Sequence, residues 1–380
     1  MNNQLKNVLY GIGAGLLGRP SCVHTLHSEQ QIRHPQDFLR VFHQQNTQDF
    51  ALAFTDERGG DVYVTSSDRI TQDTPFRLAS VTKLVIGIAL MRLQERGCLD
   101  LEADVSDYLE HAVRNPRYPE DRITLRHLLS HSSGLIDSPA YFTALRQPVR
   151  FRELLVYHEG RPGERFVYSN LAAGLVEIIV ERLTGKSLEQ VLQEEIFFPL
   201  GIAGTLFPQR VDAAPPIYRV FPRSEEASYR LIEKILLENE AYRNRPLEER
   251  YIKAAGALFM SASGLMTLLK ALLRDSREGG GILLTPESLR VMQSPLVQYP
   301  KPQRRLSHGI ATLIIEDDRI YPGRLYGHQG FAYGAVNGVF YDPQRQKAIV
   351  SLNAGTREWR NGHFSVYTEQ LLRCIQRECV

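Results

Sequence analysis

The chain has 380 residues, 43% of them hydrophobic and 23% charged, which fits one large or two intimate globular units and excludes a disordered or fibrous chain. A formal net charge of +2 builds no field that would draw nucleic acid or an anionic membrane. Four cysteines, Cys22, Cys98, Cys374 and Cys379, lack any Cys-x-x-Cys spacing, so reduced structural thiols are expected.

Near the N-terminus, Lys6 precedes an apolar run from Val8 to Leu17 that faintly resembles a secretion signal. The run holds three glycines, is too short to span a bilayer, and meets no small-x-small cleavage site in Arg19-Pro20-Ser21-Cys22. The expectation is an uncleaved cytoplasmic protein with no stable membrane insertion; secretion or a periplasmic location is the alternative if the run is a signal. Gly11-Ile12-Gly13-Ala14-Gly15 imitates a dinucleotide loop, but Leu16 stands where the third glycine belongs. Residues 1–32 read as an N-terminal extension.

Pro35 to Gln44 reads as a short amphipathic helix. Phe50 to Phe54 and Val62 to Thr65 read as strands of a hairpin turning at Gly59-Gly60. The strongest helix follows, from Ser80 to Arg96. Its apolar positions (Val81, Leu84, Val85, Ile88, Ala89, Leu90, Leu93) cover well over one face, which marks a buried helix, and Gly97 can cap it in a left-handed conformation. From Val105 to Arg290 the pattern is mainly helical. Thr124 starts a short helix, Leu171 to Leu183 forms another ended by Gly185, and Ser187 with Gln190 makes a capping box. Arg223 to Glu249 alternates Glu and Arg among Leu and Ile, reading as a solvated helical insert or a cover over a cleft.

Strand signals return at Ile310 to Ile315, Ala332 to Tyr341 and Lys347 to Asn353. A glycine-rich turn precedes the second, and Asp342-Pro343 separates the last two. Phe364 to Ile375 closes as a helix. Strands at both ends with helices between them predict an α/β fold of the α+β type. Its antiparallel sheet would use residues 33–104 plus 291–380, be flanked by helices, and carry an inserted mainly helical region over 105–290.

Three short motifs carry candidate chemistry. In Ser80-Val81-Thr82-Lys83, positions i and i+3 share a helix face, so an amine can reach a hydroxyl at the head of a buried helix. A serine hydroxyl attacks only when a base takes its proton, and a helix N-terminus adds N–H groups near a developing oxyanion. In Tyr168-Ser169-Asn170, the phenol can shuttle that proton and the amide can both donate and accept. In Gly327-His328-Gln329-Gly330-Phe331, read as a turn leading into a strand, glycine admits close approach of substrate. The Phe331 N–H can pair with that of Ser80 as an oxyanion hole.

Together and in this order, Ser-Val-Thr-Lys, Tyr-Ser-Asn and His-Gln-Gly resemble the serine β-lactamase and D,D-peptidase (penicillin-binding protein) superfamily, in its class C β-lactamase-like branch. The segment Ile123 to Leu135, Pro162-Gly163 before the tyrosine, and Ala255-Gly256-Ala257-Leu258 before Ser261 are similar to that branch too. The resemblance implies a β-lactamase/transpeptidase-like fold, Ser80 as acylated nucleophile and Lys83 as its activating partner. It also implies Tyr168 as base and proton shuttle, Asn170 orienting substrate and lysine, and His328, Gln329, Gly330 and Phe331 on the substrate-docking strand. Gln329 departs from the pattern, filling a place where carboxylate-binding relatives carry a small hydroxyl residue; a longer amide there can block or replace carboxylate recognition.

The expected function is therefore a serine hydrolase working on an ester or amide acyl group of a small molecule or short peptide, with no metal and no cofactor. A penicillin-recognising sensor or scaffold with little turnover, or a non-catalytic structural relative, are the other readings. His127 and His131 have a zinc-like i, i+4 spacing, but no glutamate follows His127 and no third ligand is suggested nearby. Thr184-Gly185-Lys186-Ser187 imitates the end of a phosphate loop, with Val180 in place of its first glycine. No Gly-x-Ser-x-Gly elbow is present.

Overall fold

The computed structural model describes residues 25–144, 149–211, 214–215, 217–219, 225–226, 242, 244–277, 281–300 and 305–378. The apolar run at Val8 to Leu17 with its glycines, Cys22, Cys379 and the greater part of the Arg223 to Glu249 stretch lie outside the described residues.

Helix α1 spans Pro35–Gln45, with proline in its first turn and Asn46 closing it in a left-handed conformation. Strands β1 (Phe50–Thr55) and β2 (Asp61–Thr65) form the expected hairpin, with Leu52 opposite Val64. Helix α2 runs Thr82–Glu95 and is buried at every position from Thr82 to Met91, as its all-round apolar pattern requires. Helix α3 spans Asn170–Thr184 between the N-cap Ser169 and the left-handed Gly185. Helix α4, Ala262–Asp275, is capped by the Ser261 hydroxyl. The capping boxes at Thr124 and Ser187 are both formed.

The remaining strands are β3 (Val297–Gln298), β4 (Leu306–His308), β5 (Leu313–Ile315), β6 (Leu325–Ala332), β7 (Ala335–Asp342) and β8 (Lys347–Asn353). Helix α5, Val366–Glu378, closes the described chain. The eight strands make one antiparallel sheet in the order β2-β1-β8-β7-β6-β5-β4-β3, with Phe50 of β1 facing Asn353 of β8. Side-chain alternation along β1 sends Phe50, Leu52 and Phe54 into a core with α1 and α5. Ala51 and Ala53 face the other way into a larger core with α2, α3 and α4, where their small size lets α4 lie close. The sheet is thus covered on both faces, and burying each large aliphatic side chain contributes about 1.5–3 kcal/mol. No helix among the described residues is long and apolar enough to cross a membrane.

One reading needs correction. The stretch from Gly327 to Phe331 is not a turn but the body of β6; the turn is Tyr333-Gly334. The glycines mislead because they mark close backbone approach, not a bend. A Cβ at Gly327 would lie 1.9 Å from Val339 O, and one at Gly330 would lie 2.2 Å from Leu78 O. Smaller shifts have local causes. The strand expected from Ile310 begins at Leu313, because Gly309 to Ala311 form a turn, with Ala311 at φ +49° donating to Leu129 O. The last helix starts two residues later than expected because Phe364–Ser365 pairs with Arg360–Asn361.

Candidate active site

Ser80 lies in a 3-10 turn, Ala79–Val81, at the head of α2. Two elements clamp this turn. The Leu78 N–H donates to Leu258 O at 2.8 Å, and Leu258 N–H donates to Thr82 Oγ1 at 3.2 Å. From the other side β6 presses in at Gly330, where a Cβ would stand only 3.1 Å from Ser80 N. Ala79 adopts φ +52°, a left-handed conformation that strains a non-glycine residue, immediately before the serine.

The polar groups converge on Ser80 Oγ. Tyr168 Oη donates to it at 2.6 Å and Lys83 Nζ at 3.2 Å. Lys83 Nζ also donates to Asn170 Oδ1 at 3.0 Å and Ala255 O at 2.5 Å, and lies 5.1 Å from the Tyr168 ring centroid. Lys83 is buried while Tyr168 is 38% exposed, so the lysine works from beneath and the phenol from the rim. Lys83 of α2, Tyr168 just before α3 and the Ala255 carbonyl therefore meet at one oxygen, with Asn170 of α3 held on the far side of Lys83. Such an arrangement can take a proton from a hydroxyl and return it to a leaving group.

Two supporting residues have no sequence signature. Asp137 accepts four hydrogen bonds at the start of α3: from Ser169 Oγ, the Asn170 and Leu171 N–H groups, and Asn170 Nδ2, all between 2.9 and 3.0 Å. Its carboxylate thus sits on a helix N-terminus and fixes which way the Asn170 amide faces Lys83. Glu177 is fully buried and accepts from the Lys253 and Ala254 N–H groups and from Tyr242 Oη, at 2.9–3.0 Å, holding the turn that presents Ala255 O to Lys83. Burial, helped by the neighbouring Glu181, pushes the Glu177 carboxyl up.

The side chains of the Gly-His-Gln-Gly strand divide between the two faces of the sheet. His328 faces His308, with ring centroids 5.9 Å apart. Gln329 lines the cleft with its amide held by the 360–365 hairpin: Oε1 accepts from Ser365 N–H at 2.9 Å and Nε2 donates to His363 O at 3.3 Å. His127 is absorbed by its capping box, Nδ1 accepting from Thr124 N–H at 3.2 Å, and makes no pair with His131.

His131 belongs instead with His308 and His328 behind Tyr168, whose ring lies 4.3 Å from that of His131. Burial, with Lys83 and the other imidazoles adding repulsion, holds His131 and His328 well below the usual histidine range. Burial lowers His308 to about 4, against the contact of its ring with Gly309 O. The folded state thus resists protons that an unfolded histidine takes at 6.5, so stability is lost as pH falls from about 6.5 to about 4. His308 alone accounts for about 3 kcal/mol across that window. Urea midpoints at pH 7.5 and pH 4.5 are expected to differ less in His308→Phe than in the wild type; an unchanged difference would remove His308 as the cause.

Ser80 and Tyr168 open into a cleft of about 590 Å³. Ser80, Tyr168, Asn170, His328, Gln329 and Phe331 line it, and Lys83 lies below. The walls are aromatic: Phe166 stacks on Tyr299 with centroids 3.8 Å apart, and Arg360 covers the Phe331 ring at 3.7 Å.

Comparison with known proteins agrees with this architecture. The octameric penicillin-binding protein homologue from Pyrococcus abyssi superposes with a TM-score of 0.68 at 20% identity, over 90% of this chain and 76% of that one. The D-amino acid amidase from Ochrobactrum anthropi gives 0.65 at 20% identity, over 87% and 93%. At that identity the likeness is one of fold. In sequence, the chain is 30% identical to the monacolin J acid methylbutanoyltransferase of Aspergillus terreus over 260 residues, spanning 60% of this chain and 58% of that protein's length. The profile of the Beta-lactamase family matches residues 41–359, from within α1 to the residue before the 360–365 hairpin. With that match taking in all eight strands and Ser80, Lys83, Tyr168 and Asn170, the chain belongs to the beta-lactamase family.

Proposed function

We propose that the protein forms an acyl-enzyme on Ser80 from an ester or amide of a small molecule or short peptide, then passes the acyl group to water or to an acceptor hydroxyl. The observation that carries this reading is the 2.6 Å contact between Tyr168 Oη and Ser80 Oγ, with Lys83 Nζ 3.2 Å from the same oxygen. In the first step a bond forms between Ser80 Oγ and the carbonyl carbon while the hydroxyl proton passes to Lys83 acting as a neutral amine or to Tyr168 acting as a phenolate. Collapse breaks the bond to the leaving oxygen or nitrogen, which takes that proton. The backbone N–H groups of Ser80 and Phe331 serve the oxyanion, and the glycine at 330 lets β6 come close enough for that pairing.

The aromatic walls suit an apolar acyl or leaving group, and Asn170 orients the substrate amide or ester from the rim of the cleft. The likeness to a methylbutanoyltransferase favours acyl transfer to an acceptor beside water. Intact-protein mass after exposure to a fluorophosphonate probe tests the assignment. Wild type is expected to gain one adduct and Ser80→Ala none. Labelling that persists in Ser80→Ala, or a wild type that stays unlabelled, would remove Ser80 as nucleophile.

A further inference from the structure

We propose that His131, His308 and His328 form a binding site for one borderline-soft transition-metal ion, with zinc the fitting probe, set behind Tyr168 and beside Lys83. The three residues arrive from distant parts of the chain: the turn after the Leu125–Leu129 helix, the end of β4 and the middle of β6. One ring nitrogen of each lies within 4.8 Å of the others. Their exposures are 2%, 0% and 5%, so the cluster is a built interior feature and not a chance surface grouping.

The hydrogen bonds around the rings prepare two of the three as ligands. His308 Nδ1 is 2.9 Å from Gly309 O, and His328 Nδ1 is 2.6 Å from Gln329 O. A carbonyl oxygen only accepts, so each Nδ1 carries the proton and each Nε2 presents a bare lone pair. Ligating histidines are held in this way by backbone carbonyls behind them. The Nε2 of His308 has no hydrogen-bond partner although the residue is fully buried, an arrangement that leaves a polar atom desolvated without compensation. A metal ion at the centre of the cluster satisfies it. Imidazoles without a carboxylate suit zinc, copper or nickel rather than magnesium or calcium.

Two terms oppose loading. Zinc at about 2.0–2.1 Å from each nitrogen wants the nitrogens about 3.4 Å apart, so the rings must draw together. His131 Nδ1 now accepts from Ser169 N–H at 3.3 Å, and ligation through Nε2 requires its proton to move to Nδ1. That long contact must therefore give way, and Lys83 repels the incoming charge. The site is accordingly weaker than a four-ligand structural centre. Its occupancy would loosen Ser169, the residue after Tyr168.

The test is metal binding by the free, chelator-stripped protein, with no substrate present, so its outcome is independent of the acyl-enzyme reading. Titration with Co²⁺ is expected to give the intense visible bands of a tetrahedral site at one ion per chain, displaced by Zn²⁺. The His308→Phe variant keeps a ring against Phe166 and Tyr299, and is expected to bind at least about tenfold more weakly and to lose the zinc-dependent rise in Tm. Circular dichroism checks that it folds; His308→Gln, read in the same way, replaces it if it does not. Wild-type protein that takes up no ion, or affinity unchanged in the folded variant, would overturn the proposal.

Discussion

Replacing Lys83 by methionine is expected to slow formation of the Ser80 adduct by about 10²–10⁴-fold, the span associated with losing a positioned proton-transfer group. Methionine keeps the unbranched stem and removes the ammonium. Lys83 Nζ contacts Ser80 Oγ, Asn170 Oδ1 and Ala255 O together, so its loss also takes that donor from Asn170 Oδ1 and leaves Ala255 O with the long 3.5 Å contact from the Ser80 hydroxyl. The pH dependence of labelling separates the two contributions: loss of proton handling changes the profile, whereas loosened packing lowers it uniformly. Lys83→Arg is not expected to rescue the rate, because a planar guanidinium cannot present one nitrogen to three acceptors from a buried position. A Lys83→Met rate within tenfold of wild type would place the proton chemistry on Tyr168 alone.

The second large effect is expected at Asp137, which touches neither Ser80 nor the cleft. Asp137→Ala removes the acceptor for four donors at the head of α3, a loss of about 3 kcal/mol or more in stability. Asp137→Asn is the sharper variant. It keeps the shape but turns one acceptor oxygen into a donor facing donors, and it removes the charge from a helix N-terminus. Both variants are expected to lower the urea midpoint, and Asp137→Asn to slow labelling as well, because the Asn170 amide loses the contact that sets its face towards Lys83. An Asp137→Asn protein with unchanged midpoint and labelling rate would show that Asp137 neither stabilises α3 nor positions Asn170.

What could be read from the sequence was what local pattern determines. Helix α2 was legible because a run apolar on all sides has one stable environment, and Gly185 and Ser187 announced helix ends through capping chemistry within four residues. The convergence of Ser80, Lys83, Tyr168 and Asn170 was legible through motif order. Strand β6 was missed because its glycines answer to Leu78 and Val339, neither of them a sequence neighbour. Asp137 gave no sign because its donors lie more than thirty residues downstream, and His308 none because nothing around it shows that His131 and His328 will be beside it. The amide of Gln329 gave no sign of its partners, Ser365 and His363, for the same reason.

The pairing of β1 with β8 bears on how the protein is made. A ribosome completes β1, β2 and α2 long before Asn353, the residue that Phe50 must meet, leaves the exit tunnel. Throughout that interval the β8-side edge of β1, a six-residue apolar strand, has no partner and is a surface ready to pair with another nascent chain. Recombinant yield should therefore respond to growth temperature and chaperone supply more than to the stability of the finished fold, since the hazard ends once the last strand docks.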